Sequence, residues 1–79
     1  MARTRVRSRS ISNAAKDVRK YVAVASAMLA AGDQSRAYAA AEAAQFAAFD
    51  MKLLIEGSAV EYVPGQNAPE WMREGQGDA

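Results

Sequence analysis

The sequence predicts an all-α protein, built as an antiparallel hairpin of two long helices with a basic extended N-terminal arm and an irregular C-terminal tail. Three observations predict this fold. Nineteen of the 79 residues are Ala, the strongest helix former. Apolar residues recur at helical spacings on both sides of the dipeptide Gly32-Asp33. The chain has no Cys or His for a disulfide or a structural zinc ion, so we expect self-association or a protein partner to stabilise so small a core.

Residues 1–11 form the predicted arm, in which every second residue from position 3 to position 9 is Arg. Alternate side chains of an extended chain lie on one side, so four guanidinium groups would face the same partner. Four like charges with little apolar surface also favour a flexible segment. The four residues are Arg3, Arg5, Arg7 and Arg9.

Charge is divided unevenly along the chain. Residues 1–20 hold seven basic residues and one acid, a net charge of +6, whereas residues 21–79 carry −5. Arg and Lys bind phosphate oxygens and carboxylates, and a charge asymmetry of this kind indicates a basic segment on an acidic body. We therefore expect the four arginines, together with Lys16, Arg19 and Lys20, to bind nucleic acid or an acidic protein surface. The alternative is a plain solubilising segment.

We predict the first helix over about residues 12–31, with Ser12 or Asn13 as its N-cap. Apolar residues follow at spacings of three and four, which predicts a seam against a neighbouring helix. The charged side chains of this helix, Asp17 among them, are expected on the solvent side. The predicted seam consists of Ile11, Ala15, Val18, Val22, Ala25 and Leu29.

The dipeptide Gly32-Asp33 predicts the connection between the helices. Gly suits the left-handed residue that ends a helix, and Asp suits the N-cap of the next one. So short a connection makes the two helices antiparallel neighbours. We predict the second helix over about residues 34–56, with a face of mostly small side chains that lets two backbones approach closely. That face holds Ala40, Ala43, Ala44, Phe46, Ala47, Met51 and Leu54.

Residues 58–79 form the predicted tail. Residues 60–63 fit either a short strand or an extended strap, and Pro64-Gly65 is a turn signal. A short helix is predicted at residues 69–74, because Pro and then an acid suit its first turn.

Large apolar and aromatic side chains are candidates for a protein interface. Those of the tail either anchor a partner or fold back and cap the open end of the hairpin. The candidate interface residues are Tyr21, Val24, Met28, Tyr38, Phe49, Tyr62, Trp71 and Met72.

The composition argues against an enzyme. His and Cys are absent, the five Gly form no phosphate-binding loop, and the acids show no paired arrangement. We therefore expect no catalytic residue, metal, cofactor or small-molecule substrate. No apolar run is long enough to cross a bilayer and no signal peptide is recognisable, so we expect no membrane partner and a cytoplasmic protein, or one assembled into a particle.

The sequence thus favours a small non-enzymatic binding protein that uses its arm on nucleic acid or on a nucleic-acid-handling complex. It could act as a DNA-binding regulator or antitoxin, or as a phage-type inhibitor. The alternative is a minor structural protein of a larger particle such as a virion, laced to its neighbours by arm and tail. The alternating arm before two helices also resembles the outline of ribbon-helix-helix repressors, whose paired strands place alternate side chains in the major groove.

Overall fold

A computed structural model of the chain describes the backbone of residues 2–58 and 60–74, and the side chains of residues 7–58 and 60–73. Within these ranges the backbone forms three helices: α1 (Ala2–Ala30), α2 (Gln34–Glu56) and α3 (Glu70–Glu74). The two long helices pack against each other along their length, which confirms the all-α hairpin. The short third helix lies within the segment predicted for it. No strand occurs in the described part of the chain, so residues 60–63 form an irregular strap.

The extended arm is wrong, because α1 begins at Ala2 and includes the segment in which the arginines alternate. Arg is a good helix former, and its propensity favours a helix here even though like charges lie four residues apart. Because α1 runs antiparallel to α2, it must extend back to the level of the last turn of α2. Arg7 lies at that level, where its Nε donates to the carbonyl oxygen of Leu54. Ser12 and Asn13 therefore lie inside the helix rather than at its start. The resemblance to ribbon-helix-helix repressors does not hold either, because it requires an extended N-terminal strand where the structure has a helix.

The connection at Gly32-Asp33 forms as predicted. Gly32 adopts a positive φ of 80°, and the N–H groups of Gly32 and Asp33 donate to the carbonyl oxygens of Leu29 and Met28 at 3.0 and 2.8 Å. These two bonds are the pattern with which a helix ends on a left-handed residue. The Asp33 carboxylate then accepts from the N–H of Arg36 at 3.1 Å and caps α2.

The tail folds back along one side of the hairpin and runs from the open end towards the connection. Tyr62 contacts Ser10 near the start of α1, and Gly65 contacts Asp17 farther along that helix. Trp71 then lies beneath the guanidinium group of Arg36 in the first turn of α2, 5.4 Å from Cζ to the ring centroid. The tail therefore covers a side of the hairpin, and does not cap its open end.

The core lies between the two long helices and this tail. Buried Ala side chains of α2 form one side of this core, and Tyr21 of α1 packs within it with no solvent exposure. The tail supplies Tyr62, Ala68 and Met72. Large side chains from α1 and the tail thus fill the space that an Ala-rich helix leaves open, at about 150–250 Å² buried for each aromatic ring.

The predicted seam of α1 is partly wrong. Val22 and Leu29 are more than half exposed, and so is Phe46, which was assigned to the small face of α2. The other apolar residues of these two sets are buried or partly buried against the core. The buried row of α1 is instead Ser10, Ala14, Asp17 and Tyr21. This row keeps the helical spacing, but two of its members are polar.

Candidate functional site

The basic residues of the first twenty positions divide into two groups in the structure. The side chain of Arg7 turns towards the C-terminal end of α2. Its Nε donates to the carbonyl oxygen of Leu54 at 3.0 Å, and its Nη2 donates to that of Ile55 at 2.8 Å. A helix C-terminus carries unpaired carbonyl groups and partial negative charge, both of which favour a cation there. Arg7 therefore has a structural role. The side chains of Arg3 and Arg5 lie outside the described residues.

The second group lies exposed on the side of α1 that faces away from α2. Arg9, Lys16 and Lys20 follow one another at spacings of seven and four residues, so they lie on one face of the helix. Arg19 lies beside them and is also exposed. We call these four residues the outer basic face. Among the described side chains, the only ion pair joins Arg36 to Asp33, so these four cations have no acidic partner there.

The one acid among these cations in the sequence, Asp17, is turned away from them. It is 7% exposed, which corrects its predicted place on the solvent side. Its Oδ2 accepts three hydrogen bonds: from the hydroxyl of Tyr21 at 3.1 Å, from the hydroxyl of Tyr62 at 2.7 Å and from the N–H of Gly65 at 2.8 Å. A buried carboxylate needs such donors in place of water. The outer basic face thus contains no carboxylate of α1.

The pKa values of the two buried tyrosines are raised, in part by this carboxylate. Burial raises the pKa of Tyr21 to about 12, and the charge of Asp17 and its hydrogen bond add to the effect. Burial also raises the pKa of Tyr62, with the hydrogen bond to Asp17 as the second cause. A phenolate beside a buried carboxylate would be a second negative charge in the core, so both tyrosines stay protonated.

Among the described side chains, the remaining acids belong to the N-cap of α2, to α2 itself and to the tail. Asp50 is partly buried and accepts from Asn67 Nδ2 at 2.9 Å and Gln66 Nε2 at 3.2 Å, so it holds the strap to α2. Exposed acids of α2 and the tail are Glu42, Glu56, Glu61 and Glu70. The exposed charges described on α1 are therefore all basic, whereas α2 and the tail carry these four acids together with three exposed cations, Arg36, Lys52 and Arg73.

Several candidate interface residues are corrected by their burial. Tyr21, Tyr62 and Met72 are buried within the chain itself, so they are core residues and not contacts for a partner. Trp71, Val24 and Met28 are partly buried, and the first two pack against the core. Tyr38 and Phe49 remain exposed, at 72% and 53%, and still fit an interface.

Sequence reasoning missed three polar residues that hold the tail. Ser10 accepts from the N–H of Tyr62 at 2.9 Å through its Oγ, and Asp17 and Asn67 bond as described above. The signal available in the sequence was the spacing of the row that begins at Ser10 and continues through Ala14 and Asp17 to Tyr21. Because Ser10 and Asp17 are polar, apolar periodicity alone does not reveal this row.

No enclosed site for chemistry is found among the residues that the structure describes. Nowhere in that part of the chain do three His, Cys, Asp or Glu side chains come together as a metal-binding group. Neither long helix contains, within the described ranges, a segment apolar and long enough to span a bilayer. Open grooves among the described residues lie along α2 and, near the connection, between α2 and α1.

No protein-family model, curated protein or solved structure matches this chain.

Proposed function

We propose that this protein is a non-enzymatic binding protein that holds the phosphate backbone of duplex nucleic acid against the outer basic face of α1. The observation that carries the proposal is the inward position of Asp17. Because Tyr21, Tyr62 and Gly65 hold that carboxylate inside, four exposed cations of α1 face solvent without an acid of their own helix between them.

The spacing of these cations suits a linear polyanion. Arg9 and Lys20 are eleven residues apart, about 16 Å along a helix axis. The helix already holds them in one row, so little conformational entropy is lost when several phosphates are bound together. No aromatic side chain belongs to the outer basic face, which favours contact with phosphates over stacking on unpaired bases.

The charges of α2 and the tail support the same orientation. Their exposed acids, which are Glu42, Glu56, Glu61 and Glu70, outnumber their exposed cations by one, so α1 is the side that attracts phosphate most strongly. A regulator, or an inhibitor that acts on a nucleic-acid-handling complex, would use this same surface. Contacts to phosphate carry no sequence information, so we expect binding that depends little on base sequence.

Fluorescence anisotropy of labelled duplex DNA tests the proposal, with two unrelated duplexes and a single strand at low and at physiological salt. We expect both duplexes to bind at low salt with similar affinity, and the affinity to fall steeply as salt rises. Absence of binding at low salt would contradict the proposal. Tighter binding to the single strand than to either duplex would also contradict it.

Two lysines on helices provide a matched comparison. Lys16 belongs to the outer basic face, whereas Lys52 is exposed on α2. We expect Lys16→Gln to reduce the slope of log affinity against log salt by about one, because one phosphate contact is lost. Lys52→Gln has the same chemistry and should leave the slope unchanged. Equal effects of the two substitutions would mean that net charge, and not this face, governs binding.

A further inference from the structure

We propose that docking of the tail and binding of nucleic acid to the outer basic face stabilise each other, and that Asp17 couples the two events. This coupling rests on the proposed function, because it concerns the regulation of that same face. The structure shows the docked tail, in which the Asp17 carboxylate lies inside and accepts from Tyr62 and Gly65 of the tail. Release of the tail returns that carboxylate to water.

Two of the three groups that hold Asp17 inside belong to the tail. The hydroxyl of Tyr62 and the N–H of Gly65 donate at 2.7 and 2.8 Å, whereas the hydroxyl of Tyr21, on α1 itself, donates at 3.1 Å. Asp17 is 7% exposed in this state, and within the described side chains its carboxylate forms no ion pair. When the tail leaves, the carboxylate loses its two shorter bonds together with the residues that cover it. It then turns towards water, because an unpaired charge is costly to bury.

Lys20 is the cation that the released carboxylate meets. It follows Asp17 by three residues, and side chains at that spacing are neighbours on the surface of a helix. Lys20 is exposed and belongs to the outer basic face. An ion pair with Asp17 competes with phosphate for the ammonium group of Lys20, and it places a negative charge at the edge of the face. The face therefore binds phosphate more weakly when the tail is released.

A coupling of this kind acts in both directions. If the docked tail raises the affinity of the face for nucleic acid by some factor, then bound nucleic acid favours the docked tail by the same factor. An exposed ion pair contributes little free energy, which corresponds to about a twofold to fivefold change in an equilibrium constant. The stability of tail docking in the full chain therefore reports the coupling directly.

Hydrogen exchange of the full chain, measured by NMR at low salt with and without saturating duplex DNA, tests the coupling. The N–H of Gly65 donates to Asp17, so it exchanges when the tail opens. The N–H of Arg36 donates to the carboxylate of Asp33 at 3.1 Å, and it is the matched control because it lies in the first turn of α2, outside the tail. We expect the duplex to slow exchange at Gly65 by about twofold to fivefold. Exchange at Arg36 should stay nearly unchanged.

Asp17→Asn separates the charge from the hydrogen bonds. The amide oxygen still accepts from the tail but carries no charge, so the duplex should no longer slow exchange at Gly65. Circular dichroism checks the helicity of this variant. Should helicity fall, Lys20→Gln provides the same test, because it removes the cation with which the released carboxylate pairs.

The outcomes separate this coupling from the proposed function. A duplex that binds the chain without slowing exchange at Gly65 would overturn the coupling and leave the proposed function standing. Slowing that persists undiminished in Asp17→Asn and in Lys20→Gln would also overturn the coupling. Absence of duplex binding in the anisotropy measurement would overturn both.

Discussion

At the scale of single residues, the buried carboxylate of Asp17 holds the tail to the hairpin. It accepts from one side chain of α1 and from two groups of the tail. Hydrogen bonds to a charged group contribute about 1.5–3 kcal/mol each, more than neutral ones. Because all three donors converge on one oxygen, loss of one tail donor weakens the attachment of the tail as a whole.

Tyr62→Phe is expected to reduce the free energy of unfolding by about 1.5–3 kcal/mol, because it removes the shortest bond to Asp17 and leaves the ring in place. Urea denaturation followed by circular dichroism measures the change. Tyr38→Phe removes the same hydroxyl from an exposed ring and should stay within about 0.5 kcal/mol of the parent. If the two substitutions cost the same, Asp17 does not hold the tail.

Alkaline pH is expected to destabilise the fold. An unperturbed tyrosine ionises near pH 10, whereas the folded state raises the pKa of Tyr21 to about 12 and raises that of Tyr62 as well. The unfolded chain therefore releases these protons first, so stability is full below about pH 10 and falls as the pH rises further.

The melting temperature between about pH 8 and pH 11.5 measures this loss. The double variant Tyr21→Phe, Tyr62→Phe should lose less stability over that interval than the parent, although it begins from a lower value. Tyr38→Phe should follow the parent curve. If the double variant loses as much stability as the parent over the same pH interval, then groups other than these two tyrosines cause the alkaline loss.

The inward position of Asp17 could not be derived from the sequence. A single Asp among Lys and Arg on a helix is ordinarily a solvated charge, and Asp is seldom buried unless it is paired. Its partners Tyr62 and Gly65 follow it by 45 and 48 residues, so no local spacing relates them. The sequence places Arg9, Lys16, Arg19 and Lys20 close together along the chain, and their role in binding stays a prediction. That they form a helical face without an acid depends on that distant contact.

At the scale of secondary-structure elements, the C-terminal end of α2 depends on Gly57 and Arg7 together. Gly57 has a φ of 91°, and a Cβ there would lie 3.2 Å from Nη2 of Arg7. We expect Gly57→Ala to cost about 1–2 kcal/mol from backbone strain, and more because Arg7 must shift from its carbonyl acceptors.

Gly32→Ala provides the comparison, since φ there is 80° but nothing lies within 4 Å of the added Cβ. It should show the backbone strain alone and therefore cost less than Gly57→Ala. In the background of Arg7→Ala the two glycine substitutions should cost nearly the same, because the crowded side chain is gone. Urea denaturation of the five variants forms this cycle. An unchanged difference in that background would exclude the contact with Arg7.

The helices illustrate where the prediction of elements succeeded and failed. The bounds of α2 are those predicted, because Asp33 and Gly57 are strong local signals at its two ends. The predicted start of α1, near residue 12, is too late. Good N-cap residues and alternating Arg favour that start, but they do not take account of the length of α2. An antiparallel partner for the 23 residues of α2, counted back from Ala30, reaches about residue 8. The length of α2 therefore predicts the start of α1 better than the candidate N-cap residues do.

At the scale of the whole molecule, each side of the two-helix hairpin has a different character. One side is covered by the tail, the outer side of α1 is basic, and the remaining side has a groove near the connection between the two long helices. The hairpin itself followed from the sequence. The path of the tail did not, because it depends on hydrogen bonds from Tyr62 and Gly65 to residues about fifty positions earlier. Which apolar side chains stay exposed depends on that path in turn.

Deletion of residues 60–79 is expected to destabilise the hairpin strongly. It removes Tyr62 and Met72 from the core, each worth about 1.5–3 kcal/mol in buried surface. It also leaves the carboxylate of Asp17 and the hydroxyl of Tyr21 without their tail contacts. A loss of about 4 kcal/mol is a large part of the stability of a small domain. Because less surface is buried, the urea m-value should fall together with the midpoint.

A synthetic peptide of residues 60–74, added to the truncated chain, should restore helicity in a saturable manner, since the tail contacts form without covalent continuity. The same peptide with Tyr62→Phe should bind more weakly, because the bond to Asp17 is lost. Val63→Ser in the full chain removes an exposed apolar side chain and should leave the midpoint nearly unchanged. A truncated chain with the midpoint and m-value of the parent would mean that the two long helices are stable alone, and that the tail covers their core without stabilising it.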